Sequence, residues 1–200
     1  MSFDNAAPNW DSPERIERAH ALAASILRKL GNTPFRTALE FGCGTGLISF
    51  LLQERFERIY CVDSSEGMLS VLRKKIEMTG AKNIVPSDTG LLAQKEFADT
   101  FDVVYSSMVF HHIMDIEAQL RALYPLLKPG GLLITIDLDK DDGSFHRAEP
   151  DFNGHNGFDR KALSEWMQGS GFSDVQFETV YEGKKGGHPY SLFLCRAEKK

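Results

Sequence analysis

The 200-residue sequence predicts an α/β fold: a doubly wound, mostly parallel sheet with layers of helices on both faces. Three observations carry this reading. Short apolar, β-rich runs alternate with segments whose apolar residues recur at helical spacing. Glycines and prolines punctuate the boundaries between them. A glycine loop, Gly42-Cys43-Gly44-Thr45-Gly46, joins the first strand to its helix, and an acid, Asp63, closes the second strand. In such a sheet ligands bind at the carboxyl ends of the strands near the switch point, so that loop is the first place to look for a site.

The elements follow in order. Ser12-Pro13-Glu14 is a helix start, with an N-cap, a proline at the first helical position and an early acid. Ile16, Ala19, Ala23, Ile26, Leu27 and Leu30 continue it, and Gly31 ends it. Residues 37–41 form a first strand, and Leu47, Ile48, Leu51 and Leu52 mark the helix after the glycine loop. A second strand spans 58–62, followed by a helix with Met68, Leu69, Leu72 and Ile76 on one face and Gly80 at its end. Residues 83–86 are a short third strand whose proline marks a strand end. Residues 101–105 are the fourth, and Asp115 caps a helix through Ile116, Leu120 and Leu123 that Pro125 ends. Lys128-Pro129-Gly130-Gly131 is a turn before a fifth strand over 132–138. An irregular polar stretch covers 139–157, and Asp159 caps a last helix ending near Gly169. Residues 175–180 and 190–195 are two strands joined by a hairpin loop over 182–189.

Hydrophobic residues make up 42% and charged residues 26%, a globular balance that argues against disorder. No apolar run approaches the ~18 residues of a membrane span. The N-terminus lacks the basic start and apolar stretch of a secretory signal. A net charge of −5 argues against non-specific binding to nucleic acid or anionic membranes. Cys43, Cys61 and Cys195 are odd in number and lack CxxC spacing, so neither a disulfide framework nor a thiolate zinc site is expected; a reducing cytoplasm is. Cys61 and Cys195 fall in apolar strands and are expected to pack in the core.

Asp63 lies 21 residues after Gly42, where a strand-end carboxylate can accept hydrogen bonds from both hydroxyls of a ribose. The dinucleotide fingerprint G-x-G-x-x-G/A does not fit, because its last position falls on Leu47. The loop instead resembles motif I of the class I S-adenosylmethionine (SAM)-dependent methyltransferases, in which an acid, here Glu40, precedes G-x-G-x-G. The resemblance continues through Tyr60 to Leu69, Ser87-Asp88-Thr89, Phe101 to Ile113, Leu127 to Gly131 and Gly171-Phe172, covering roughly residues 36–197. Trp10-Asp11 with Arg15-x-x-Arg18-Ala19 resembles a bacterial and archaeal small-molecule subgroup. It implies a single domain over 1–200, with an N-terminal helical cap over 1–31 on a Rossmann-like core over 36–197. That core has seven strands and an antiparallel C-terminal hairpin strand.

The resemblance also implies roles. Glu40 binds the methionine amino group, Gly42, Gly44 and Gly46 pack against the cofactor, and Cys43 occupies a loop position common in the family. Asp63 holds the ribose, with Ser64 and Met68 beside it. Asp88 accepts from the adenine amino group, Thr89 offers its backbone N–H, and Ser106 and Ser107 lie near the methionine arm. The implied activity is methyl transfer from SAM to a small-molecule acceptor. A non-catalytic SAM-binding protein, a nicotinamide-dependent oxidoreductase and a protein or RNA acceptor are the alternatives.

His111 and His112 follow the fourth strand and are candidate general bases, His111 slightly favoured. Ser106-Ser107-Met108-Val109 stands where enzymes acting on base amines or glutamine amides carry N/D-P-P-Y/F, which argues against those acceptors. Residues 137–142 open like a calcium loop but lack its glycine and its twelfth-position acid, so no metal is expected. Phe3, Trp10, His20, His146, His155 and Phe158 are candidates for the acceptor wall. Oligomeric state is not legible.

Overall fold

A computed structural model describes residues 3–149 and 151–200; residues 1 and 2 of the expected cap lie outside it. Its seven strands are β1 (Thr37–Phe41), β2 (Arg58–Val62), β3 (Ile84–Ser87), β4 (Phe101–Ser107), β5 (Leu127–Leu138), β6 (Phe172–Lys185) and β7 (His188–Lys199). They form one sheet in the order β3-β2-β1-β4-β5-β7-β6. β1 to β5 pair in parallel, and β7 pairs antiparallel with both β5 and β6. The switch point falls between β1 and β4, where successive crossovers leave on opposite sides.

The helices are α1 (Phe3–Ala6), α2 (Pro13–Leu30), α3 (Leu47–Leu52), α4 (Glu66–Thr79), α5 (Ile116–Leu123) and α6 (Arg160–Gly169). Alternation along each strand sorts the core into two layers. Ala38, Ile59, Cys61 and Ile134 pack with Leu22 and Ile26 of α2 and with Leu69 of α4. Leu39, Phe41, Val104 and Cys195 face the opposite way, toward Leu120 of α5 and Leu163 and Met167 of α6. Side-chain caps start the helices as the sequence indicates: Ser12 accepts from Arg15 N, Asp115 from Ala118 N and Asp159 from Ala162 N. No helix among the described residues is long and apolar enough to cross a membrane.

Several boundaries differ from expectation, among them the ends of β4 and β6. Pro86 sits inside β3, not at its end, because β3 is the sheet's edge and a missing N–H there breaks no ladder. The expected turn at 128–131 is a bulge inside β5: Phe101 opposes Leu127 while Val103 opposes Leu132. The expected loop over 182–189 shrinks to Gly186-Gly187, whose φ values of 58° and 83° suit a two-residue hairpin turn. β6 and β7 therefore run well past β5, with Gly183 opposite Tyr190 and Lys185 opposite His188. Their polar, exposed outer ends carry no apolar alternation to announce a strand.

Candidate active site

The carboxyl ends of β1, β2 and β4 open on a cavity of about 460 Å³, within the ~300–1,000 Å³ range of small-molecule sites. The glycine loop forms its floor. Gly42 N and Cys43 N both donate to Val62 O, at 2.7 and 3.0 Å, which ties the loop to β2. Asp63 then holds the loop from the side. Its Oδ2 accepts from Gly44 N at 2.7 Å and its Oδ1 from Ser65 N at 2.8 Å. Gly44 has a φ of 53°, and a Cβ there would look across the cleft to Trp10 Nε1 at 3.6 Å and Met68 Sδ at 3.9 Å. Gly42, at φ 74°, lies so close to Val109 that any Cβ would collide with it.

Residues 3–12 cross over this floor. Asp4 Oδ1 accepts from Ser65 Oγ at 2.6 Å and Gly67 N at 2.8 Å, anchoring the segment at the start of α4. Asp11 accepts from Thr45 Oγ1 and pairs with Lys75 Nζ, both at 2.5 Å. Phe3 and Trp10 pack edge to face at 5.7 Å, and both border the cavity.

Residues 39–135 match the family described as a methyltransferase domain. An uncharacterized methyltransferase of Schizosaccharomyces pombe is 31% identical over 152 residues, 69% of this chain and 54% of the relative. The ubiquinone biosynthesis O-methyltransferase of Ruegeria pomeroyi is 32% identical over 158 residues, 72% of this chain and 63% of the relative. Residues 39–135 therefore carry a methyltransferase domain, and these similarities support a class I SAM-dependent methyltransferase. The chain spans between half and two thirds of those two relatives' length. The solved phosphoethanolamine N-methyltransferase 2 of Haemonchus contortus, in complex with SAM, shares the fold, with a TM-score of 0.76 at 15% identity over 100% of this chain and 60% of that one.

Within this methyltransferase fold the structure gathers Glu40, Gly42, Cys43, Gly44, Asp63 and Ser64 around one cleft. Met68, Thr89, Ser107 and His112 border it too. Four expected site residues do not. Gly46, at φ 81°, caps α3, and a Cβ there would strike Leu72 of α4, so it serves helix packing. Asp88 turns its Oδ1 back to Gly90 N at 2.7 Å and caps a short turn. Ser106 is fully buried, with its Oγ unpartnered among the described residues. His111 is 1% exposed, because Asp137 draws it inward: Nδ1 lies 2.6 Å from Asp137 Oδ1, and the backbone N–H donates to Oδ2 at 3.2 Å. The histidine on the cleft is therefore His112, not His111.

Electrostatics separate these groups. Glu40 is 3% exposed and accepts from Ser49 Oγ and, at 3.3 Å, from Tyr105 OH. Burial pushes its carboxyl up to about 8, more than those hydrogen bonds pull it down. Burial, and then the neighbouring His111, push His112 down to about 4. Burial also holds the Cys43 thiol well above its ordinary range, the opposite of what a nucleophile needs.

Of the expected acceptor wall, Phe3 and Trp10 border the cleft and four residues do not. His20 is exposed on α2, and Phe158 is core. His155 N donates to His111 O and its Nε2 lies 2.9 Å from Ile113 O, bracing the turn after β4. His146 stacks on Phe152 at 3.5 Å, behind His112. No group of three or more His, Cys, Asp or Glu among the described residues could hold a metal ion.

Sequence reasoning missed Met108, Val109 and Gln119 and gave Arg15 and Arg18 no site role, although all five border the cleft. Met108 has a φ of 59°, unusual for a non-glycine residue. Gln119 Nε2 is buried without a hydrogen-bond partner among the described residues. Arg15, Arg18, Met108 and Val109 stand in motifs quoted above, but only tertiary packing shows that they and Gln119 border the cleft.

Proposed function

We propose that this chain transfers a methyl group from SAM to a small-molecule acceptor and releases S-adenosylhomocysteine. The observation that carries the reading is the pair of acids, Glu40 and Asp63, flanking a glycine loop whose open face looks into the cleft. The residues fit the cofactor. Gly44 leaves room for close approach, the two acids supply acceptors for an amino group and ribose hydroxyls, and Gln119 offers an unused donor.

In this reading Glu40 takes the methionine amino group, whose charge offsets the burial of the carboxylate. Asp63 binds the ribose while still holding Gly44 and Ser65, since an ionised carboxylate has about four acceptor sites. Cys43, Ser64, Met68 and Ser107 line the site, and Thr89 stands at its adenine end. Bound SAM supplies an electrophilic methyl on a positive sulfonium; the acceptor bonds to that carbon as the C–S bond breaks and its electron pair stays on sulfur. The protein's part is alignment and exclusion of water, for which Phe3 and Trp10 close the cleft from above.

His112, on the cleft, can accept a hydrogen bond from the acceptor, and a proton on the accepting atom leaves to solvent. With His112 pushed down to about 4, protonating it at pH 7 costs roughly 4 kcal/mol. That makes His112 a weak general base, whatever atom accepts the methyl.

The test is incubation with methyl-labelled SAM and panels of oxygen, nitrogen and sulfur nucleophiles. The expected result is label in an acceptor with equimolar S-adenosylhomocysteine. Tight cofactor binding with no turnover on any panel, at any pH from 6 to 9, would contradict it.

A further inference from the structure

We infer, resting on the methyltransferase reading, that the acceptor carries an anionic group, a carboxylate or a phosphate, received by Arg15 and Arg18. The two residues are three apart on α2 and so share one face of that helix. Both are half-buried and both border the cleft. The Arg15 guanidinium lies on the Trp10 ring, 4.1 Å from its centroid, and Nη1 donates to Trp10 O at 3.2 Å. Arg18 makes one long contact, Nη1 to Tyr190 OH at 3.5 Å.

Neither guanidinium forms an ion pair with a carboxylate among the described residues. Two acids that act on Arg15 are already engaged: Asp11 by Lys75 at 2.5 Å and Glu149 by Lys185 at 2.9 Å. Glu14 and Glu17 are exposed on α2 itself. Two guanidinium groups on one wall of a cleft, above apolar Ala19 and Leu22, repel each other in a poorly screened setting. An anion between them relieves that repulsion and matches their planar, forked donors.

Position favours the acceptor as its source. Arg18 reaches Tyr190 on β7, whereas Asp63 ends β2, and β1, β4 and β5 lie between those strands. Four strand spacings are about 19 Å. Arg18 thus stands toward the far side of the cleft from Asp63, while Arg15, on Trp10, stands nearer the glycine loop. Phe3, Met108 and Ile113 give the ground between an apolar surface, so the anion belongs to an organic molecule with an apolar body.

The cofactor's own carboxylate is the competing source, and the test separates the two. The purified chain, saturated with S-adenosylhomocysteine, is titrated calorimetrically with benzoate and phenyl phosphate and with their neutral counterparts benzamide and phenol. At least one anion should bind at least tenfold more tightly than its neutral counterpart. Arg18→Gln, which breaks only one long hydrogen bond, should erase the preference, and Arg18→Lys should restore part of it. Affinity for S-adenosylhomocysteine should change less than twofold in Arg15→Gln and Arg18→Gln. Equal binding of anions and neutrals, or no binding of either, overturns the inference. So does a tenfold loss of S-adenosylhomocysteine affinity in both variants with 5′-methylthioadenosine unaffected, since the arginines then read the cofactor's carboxylate. If the wild-type chain binds no S-adenosylhomocysteine, the methyltransferase reading fails, and the same anion titration without it still decides the arginine site.

Discussion

The two sides of the cleft are built by different logic. On the β1–β2 side, the glycine loop, Glu40 and Asp63 lie within 24 consecutive residues, 40–63, and the strand-loop-helix-strand order places them together. The rest of the lining, with Trp10, Arg18, Val109 and His112, comes from the N-terminal segment, α2 and the turn after β4. A cofactor shared across a family can be met by one local motif. An acceptor that varies is met by parts that vary, borrowed from wherever the fold brings chain to the rim.

That contrast can be broken at the loop. Gly44→Val places a β-branched side chain at φ 53°, in the left-handed region, and directs it into the cleft. Affinity for S-adenosylhomocysteine should fall by about 100-fold or more, roughly 3 kcal/mol, in a variant whose circular dichroism is native. Normal binding would mean that nothing packs on this glycine. Asp63→Ala should weaken the same ligand by about tenfold or more, near 1.4 kcal/mol. It removes the ribose acceptor and also frees Gly44 N and Ser65 N. Unchanged affinity would remove Asp63 from the site.

Glu40 sharpens the comparison through protons. Its value of about 8 lies above the ordinary 4.5, so between those pH values the folded chain holds a proton that the unfolded chain has lost. Stability from this group is therefore lost as pH rises from 4.5 through 8. A bound ammonium reverses the preference, so ligand binding at pH 7 should release about one proton, read by calorimetry in buffers of different ionisation enthalpy. Glu40→Gln should abolish that release and gain stability relative to the parent above pH 8. Equal release in both would place the proton elsewhere.

The smallest effect belongs to the far side. Burial holds His112 and His146 down at about 4 against an ordinary 6.5. Their contribution is present above pH 6.5 and lost as pH falls toward 4. Replacing both by Phe should flatten the acid limb of a thermal-stability profile by a few degrees. An unchanged limb would show that other groups dominate it.

How far the sequence revealed the protein follows the same division. Strand alternation and caps such as Ser12, Asp115 and Asp159 made the helices and the parallel sheet legible, because those signals are local. The loop was legible for the same reason, apart from Gly46, whose duty to Leu72 of α4 depends on packing. His111 and His112 are adjacent in sequence, and only Asp137 on β5 decides which of them turns inward. Asp88 caps a turn through Oδ1, and a cap and a ligand contact use the same residue type. The polar length of the β6–β7 hairpin was hidden because strands that overhang a sheet need no apolar face.

The acids and glycines of the β1–β2 side are proposed to make a SAM site. Parallel calorimetric titration with SAM, S-adenosylhomocysteine, NADH and NADPH tests this most directly. Micromolar binding of the first two and none of the nicotinamides is expected. Selective binding of NADH or NADPH, or no binding by any of the four, would contradict the proposal.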